Sequence, residues 1–253
     1  MVVLSKQKAK GGCVDCGESE KCDCALSGSC SGFQPGLGAA CACAPSVQAA
    51  SKRITITDSL GRTVRVPCPP KRIVVVNSDV AELICAFGSG DSVVGGSDTT
   101  INDPMLKPKL KNAKDVGKSF TPNAEKIIAL KPGIVFGYGS FLKQEIVNKI
   151  QKAGIPVVFL DCYKLETMAQ DIRTLGKILA KTKEAEAYIA VFERYRNFIE
   201  SRTKKLPVAK KPLVYAEGYT DYSTVSGGSG GAQMVNAAGG RNIAGDLRVP
   251  CRI

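Results

Sequence analysis

Arg72-Ile-Val-Val-Val76 is a continuous apolar run of strand length, and what surrounds it decides the fold. Val80 to Phe87 follows with helical periodicity and stops at Gly88, and Ser92-Val-Val-Gly95 is a second short apolar run. Strands without polar alternation are buried on both faces. A strand–helix–strand succession therefore predicts a parallel sheet between two helical layers. Downstream the rhythm continues. Thr121-Pro122 offers a Thr cap and a first-turn Pro for a helix running to Leu130. Gly133-Ile-Val-Phe136 is a third strand, Gln144 to Ala153 a helix stopped by Gly154, and Ile155-Pro-Val-Val-Phe-Leu160 a fourth strand. Upstream, Ile54-Thr-Ile-Thr57 and Thr63-Val-Arg-Val66 alternate around Asp58-Ser-Leu-Gly61, as a β-hairpin does. Pro67, Pro69 and Pro70 then break the sheet.

Beyond Asp161 the pattern changes. Leu165, Met168, Ile172, Leu175, Ile178 and Leu179 recur at helical spacing, followed by Tyr188, Val191, Phe192, Tyr195, Phe198 and Ile199. Two successive helices break the alternation, and both stripes are expected to be core. The α/β rhythm restarts with a strand at Pro212-Leu-Val-Tyr-Ala216, a Gly-, Tyr- and Ser-rich loop over Glu217 to Ser229, and a helix from Ala232 to Ala238 ended by Gly239-Gly240. One strand and one helix cannot bury a sheet on two faces, so this second half is expected to be incomplete. Ser226-Gly-Gly-Ser-Gly-Gly231 could cradle a phosphate. It lacks the Gly-Lys-Ser/Thr ending of a nucleotide-binding loop and reads better as a turn lining a cleft.

Composition narrows the chemistry. The 253 residues are 44% hydrophobic and 23% charged, which excludes wholesale disorder, and no run of 18 apolar residues offers a transmembrane helix. With no His, the chain has no Ser-His-Asp or Cys-His catalysis and no His-ligated zinc or haem. The formal charge of +12 favours anionic partners or a solvated basic surface. No DNA- or RNA-binding motif accompanies it, so no nucleic-acid partner is expected.

Seven of the eleven Cys fall within the first 43 residues, and the composition shifts near Ser51. The Cys-rich segment 1–50 admits three readings: a thiolate site for zinc or an iron–sulfur cluster, a disulfide-bearing tail, or a disordered leader. Val47-Gln-Ala-Ala50 looks like a signal-peptidase site, and Leu37-Gly-Ala-Ala-Cys41 loosely resembles a lipobox. The apolar stretch that precedes either in a secreted protein is replaced by Gly- and Cys-rich sequence.

Ile54 to Val66 and Pro70-Lys-Arg-Ile-Val-Val-Val76 together resemble the opening of the class III periplasmic binding proteins, the ABC-transporter receptors for ferric siderophores, haem and cobalamin. Thr121-Pro-Asn-Ala-Glu-Lys-Ile-Ile-Ala-Leu-Lys-Pro132, Ala153-Gly-Ile-Pro-Val-Val158 and Ala238-Gly-Gly-Arg-Asn-Ile243 extend the likeness in the same order, over roughly residues 53–250. The resemblance implies an α/β fold of two Rossmann-like lobes joined by a long helix. It sets an N-terminal lobe over 51–162, a linking helix over 163–181 and a partial C-terminal lobe over 182–253. It also implies a non-enzymatic, monomeric, extracytoplasmic receptor, in the periplasm or lipid-anchored at the cell surface. The receptor would hold a ferric siderophore or cobalamin-like chelate between its lobes and hand it to an ABC permease. The family's second lobe runs on for several elements past the counterpart of Ile253.

In open α/β sheets ligands bind beyond the carboxyl ends of the strands. Those loops are Asn77-Ser-Asp79, Gly96-Ser-Asp98, Tyr138-Gly-Ser-Phe141, Asp161-Cys-Tyr163 and Glu217 to Tyr222. Aromatic rings give a large chelate broad apolar contact, and hydroxyls reach its polar rim. Tyr138, Ser140, Phe141, Tyr163, Tyr219 and Tyr222 are therefore the expected ligand contacts, with Lys118 a further candidate for an anionic siderophore. Glu125 lies in the segment that, in the resembled family, presents a carboxylate to the permease; as a first-turn residue it also suits the helix dipole. No catalytic residue and no protein-held metal is expected. The alternative reading is an intracellular thiolate metal-binding or redox protein acting through the Cys-rich segment. Acid–base chemistry through Asp79, Asp98, Asp161 or Asp221 would need two of them to converge.

Overall fold

The computed structural model describes residues 52–139, 141–217 and 223–246. The Cys-rich segment with its processing sites, together with Ser140, Tyr219, Asp221 and Tyr222, lies outside the described residues.

The expected hairpin is β1 (Arg53–Thr57) paired antiparallel with β2 (Thr63–Pro67), as a separate two-stranded sheet. The α/β rhythm then gives β3 (Ile73–Val75), α1 (Ser78–Ala86), β4 (Val93–Gly96), α2 (Asp98–Asn102), β5 (Lys114–Asp115), α3 (Ala124–Ala129), β6 (Ile134–Gly137), α4 (Gln144–Lys152) and β7 (Val157–Phe159). The five strands from β3 to β7 form one all-parallel sheet in the order β5-β4-β3-β6-β7. Alternate strand residues separate onto its two faces. Ile73, Val75, Ile134, Phe136 and Val158 join α1 and the later helix α5 (Met168–Leu179) in one buried cluster. Val74, Val135, Val157 and Phe159 join α3 and α4 in another. Each apolar run is continuous because both faces are covered. Gly88 and Gly154 end α1 and α4 with φ of 71° and 78°, a conformation glycine adopts without steric cost.

Several elements depart from the sequence reading. The helix expected from Thr121 starts at Ala124. Its cap is Asn123, whose side-chain oxygen accepts from the N–H groups of Glu125 and Lys126, while Pro122 pairs in a bridge with Gly117. The two-residue strand β5 and the five-residue helix α2 are too short to register as periodicity. The two helical stripes differ in fate. Ile172, Leu175, Ile178 and Leu179 of α5 are buried, as expected. The second stripe is not core: Tyr188, Val191, Tyr195, Phe198 and Ile199 of α6 (Thr182–Thr203) are 43–58% exposed. Only Ala185 and Ile189, in the first two turns of α6, are buried, because that end alone lies against α5. Gly176 allows the approach, since a Cβ there would stand 2.5 Å from that of Ala185. The span expected as the linking helix thus holds α5, part of the first core. The helix that leads from there to the last elements is the 22-residue α6. Its far end meets α7 (Gly230–Ala237), where the Thr203 hydroxyl donates to the Ala237 carbonyl at 2.8 Å. The strands β8 (Leu213–Val214) and β9 (Arg241–Asn242) pair in parallel beside it.

The turn of the hairpin is clamped to the sheet edge. The Asp58 carboxylate is buried. It accepts from the Arg62 guanidinium at 2.6 and 2.9 Å and from the backbone N–H groups of Leu60 and Arg62. Arg62 also donates to the Val157 carbonyl and lies 4.3 Å from the Phe159 ring centroid. Removing Asp58 takes the carboxylate from a partly buried guanidinium, which keeps its bond to the Val157 carbonyl, and leaves the Leu60 and Arg62 N–H groups without that acceptor. Asp58→Ala is therefore expected to cost about 3 kcal/mol, seen as a lower urea midpoint with an unchanged slope. A loss under about 0.5 kcal/mol, the level of an ordinary surface change, would contradict this account of the clamp.

Candidate ligand-binding site

Chain order along the sheet reverses at β3. From β3 the chain builds outward through β4 to β5, then returns to the other side for β6 and β7. The crevice beyond the carboxyl ends of β3 and β6 is the topological switch point, where open α/β sheets receive ligands. Ser78 and Asp79 follow β3, and Tyr138 follows β6. The Tyr138 hydroxyl meets Ser78 Oγ at 2.9 Å and donates to Asp79 Oδ2 at 3.0 Å across this point.

Around Tyr138 an aromatic cluster forms. Its ring centroid lies 5.7 Å from Phe120, 6.1 Å from Phe141 and 6.3 Å from Tyr163, and Phe120 lies 4.9 Å from Phe141. Phe120 is 47% exposed and Phe141 52% exposed, so the cluster offers open ring surface rather than filled core. Leu60, also half exposed, reaches the same rim: a Cβ on Gly139 would stand 2.9 Å from its Cδ2. Tyr163 borders the glycine loop, where a Cβ on Gly230 would approach its ring to 2.8 Å. Ser226 to Gly231 therefore ends in the first turn of α7 against the aromatic rim, with Ser229 capping that helix through Ala232 N–H.

Carboxylates lie beneath the rings. Asp171 accepts from the Ser59 hydroxyl at 2.9 Å and the Cys162 N–H at 3.1 Å, and Asp161 pairs with Lys164 at 2.7 Å. Cys162 is buried in a left-handed backbone conformation, φ 46°. Burial raises the Asp79 and Asp171 carboxyls above their usual range; hydrogen bonds from Tyr138, and from Cys162 N–H and Ser59, pull the other way. Burial pushes the Tyr138 phenol up to about 12, with the Asp79 charge adding to it. Burial also raises Tyr163, with Asp161 adding, and lifts Cys162 well above an ordinary thiol, with Asp171, Asp79 and Asp161 adding. The Tyr138 phenol is therefore protonated and uncharged at physiological pH.

Of the expected contacts, the structure brings Tyr138, Phe141 and Tyr163 together. Phe120 is the member of this aromatic cluster that the sequence reading missed, because its loop follows the unrecognised β5. Exposed Lys118 lies two residues from it, in the same loop. Glu125 is set apart, on the first turn of α3, beside a hollow of about 250 Å³ shared with Glu145 and Lys149. Asp98 turns its carboxylate back onto Thr99 N–H. A cavity of about 310 Å³ lies between α6 and α7 and is lined by Arg196, Glu200 and Gln233 rather than by the aromatic rim. Among the described residues no group of three or more His, Cys, Asp or Glu side chains could hold a metal ion.

The sequence matches the periplasmic binding protein family over residues 73–248. An uncharacterized ABC transporter substrate-binding lipoprotein of Bacillus subtilis, YvrC, is 26% identical over 198 residues, 76% of this chain and 62% of the relative. The iron(3+)-hydroxamate-binding protein YxeB of the same organism is 28% identical over 183 residues, 70% of this chain and 53% of its own. A vitamin B12-binding protein of Yersinia pestis is 26% identical over 187 residues, 71% of this chain and 62% of its own. This chain thus spans between half and two thirds of the length of these relatives. The molybdate periplasmic binding protein MolA of Haemophilus influenzae superposes with a TM-score of 0.66 at 22% identity, over 77% of this chain and 67% of that one.

Because burial and Asp79 both disfavour the phenolate, Tyr138 is expected to ionise well above an ordinary tyrosine. In a spectrophotometric titration its step lies near pH 12 and vanishes in Tyr138→Phe. The raised value means the folded state holds the proton more tightly. This group's contribution is intact below pH 10 and is lost as pH rises from 10 to about 12. A Tyr138 step at the ordinary tyrosine value would contradict the geometry.

Proposed function

We propose, from the premise that this chain belongs to the periplasmic binding protein family, that it is the substrate-binding component of an ABC importer. Its cargo is an iron chelate of the ferric siderophore type or a cobalamin-like chelate. The observation that carries the reading is the open aromatic cluster of Phe120, Tyr138, Phe141 and Tyr163 over the switch point of the sheet. Ring faces suit a bulky guest of mixed polarity, and polar groups at the rim can reach its polar edge. The hydroxamate- and B12-binding relatives support that ligand range. The event is binding; no bond is made or broken.

The division into lobes is part of this reading: an N-terminal lobe built on the five-stranded sheet, a C-terminal lobe built on β8, β9 and α7, and α6 as the stiff connection. Tyr219, Tyr222 and Ser140 complete the ligand contacts from the loops that carry them. Glu125 is the docking carboxylate for a basic residue of the permease, fixing register more than adding affinity. The chain works as a monomer outside the cytoplasm. Among the described residues no helix is long and apolar enough to cross a membrane. Membrane attachment by lipid, as in the YvrC lipoprotein, fits the lipobox-like Leu37 to Cys41.

The chain has seven Tyr and no Trp, so tyrosine emission is the intrinsic probe. A ferric hydroxamate or cobalamin is expected to quench it saturably, and Phe120→Ala to weaken binding about tenfold. No response across a broad set of ferric chelates and corrinoids would overturn the receptor reading.

A further inference from the structure

The rim leaves the oxygen of its central ring no freedom. Tyr138 lies between Ser78 and Asp79, with its hydroxyl hydrogen spent on Asp79 Oδ2 and Ser78 Oγ on the other side. That pair sits on the first turn of α1, which Asn77 anchors. Its side chain accepts from Val80 N–H, and its amide donates to the Leu160 carbonyl, just past the end of β7, at 2.8 Å. Asn77 is fully buried. The hydroxyl is therefore held by a rigid element, while the ring packs among Phe120, Phe141 and Tyr163.

We propose that Ser78 and Asp79 are positioning residues that hold the Tyr138 hydroxyl in the wall and present its ring to the guest, so that this rim selects a chelate whose metal already has a full coordination shell. The inference rests on the receptor reading and deepens it. In a chain without His, the strong protein donors for an open position on a ferric ion are anionic oxygen or sulfur. The charged groups around the described candidates oppose that form. Asp79 faces Tyr138 from α1. Asp161 and Asp171 face Tyr163 and Cys162 from the β7–α5 connection and α5, with Lys164 the one cation among them. A hexadentate chelate asks nothing of these atoms and gains from ring contact and hydrogen bonds at its edge.

The test uses the full chain with three probes: ferric desferrioxamine, the gallium complex of the same chelator, and haemin, whose axial positions are open. The expected result is that the ferric and gallium complexes quench tyrosine emission with affinities within about threefold of each other, and that no phenolate-to-iron charge-transfer band appears with any probe. Asp79→Asn, checked for an unchanged melting curve, is expected to lower the Tyr138 ionisation step from about 12 and to weaken ferric desferrioxamine by about three- to tenfold. A purely structural role for Asp79 would not move that step. Tyr138→Ala is expected to lose at least about threefold more affinity than Tyr138→Phe, because the ring is what the guest meets. A visible phenolate–iron band, from whichever tyrosine, would overturn this inference while leaving the receptor reading standing. So would tight haemin binding alongside rejection of the gallium complex. Failure of every chelate in the wider set would remove the receptor reading and this inference with it.

Discussion

Burial of both faces of one parallel sheet is the constraint on which the rest depends. With α1 and α5 on one side and α3 and α4 on the other, the sheet's side chains are spent on packing. The surface free for recognition lies at the strand ends. At the carboxyl end the loops emerge in a fixed order, and the reversal at β3 parts them into a crevice. Tyr138 and its two hydrogen-bond partners are neighbours there only because β3 and β6 pair directly, although they are about sixty positions apart in sequence.

The same constraint explains what could be read from the sequence. The valine and isoleucine runs of β3, β6 and β7 carry the sheet in their composition, and Gly88 and Gly154 mark helix ends because the turn beyond needs positive φ. The candidate site was partly legible for a related reason: Tyr138, Phe141 and Tyr163 directly follow strands that were recognised. Phe120 follows β5, two residues long and exposed on both, which leaves no periodic trace. The Asn123 cap was hidden behind a better-looking Thr121-Pro122 because cap choice depends on where the backbone turns, and here Pro122 is held in a bridge. The α6 stripe misled because helical spacing of apolar residues reports amphipathicity and not what covers it. The Asp79–Tyr138 bond joins residues 59 apart, and no local pattern encodes such a pair.

Electrostatics divide the site into a charged floor and a neutral rim. Asp79, Asp161 and Asp171 each have a partner, and their combined field acts against any further negative charge nearby. That is poor equipment for a nucleophile, which needs a depressed pKa or an adjacent base. It suits a receptor: groups that stay protonated over the working range hold the same hydrogen-bonding face towards every incoming guest. The proposed role, binding without turnover, is in keeping with this chemistry and with the family to which the chain belongs.

How far such a receptor can move follows from α6. Its first turns are locked against α5, where Gly176 admits Ala185 to contact distance, and its last turn is tied to α7 by the Thr203–Ala237 hydrogen bond. Arg196 further binds the middle of the helix to the Leu165 carbonyl and to Glu200. A 22-residue helix spans about 33 Å, and one without an internal Pro or Gly bends gently rather than hinging. In the proposed receptor, a stiff α6 therefore leaves little room for large closure around a guest. Affinity must come from a rim already in shape before the guest arrives, which is where the Ser78–Tyr138–Asp79 arrangement matters. Fixing one aromatic side chain in advance removes an ordering cost of about 0.5–1.5 kcal/mol from the binding step. In a stiff receptor that saving is worth more than in one that can fold its walls inward.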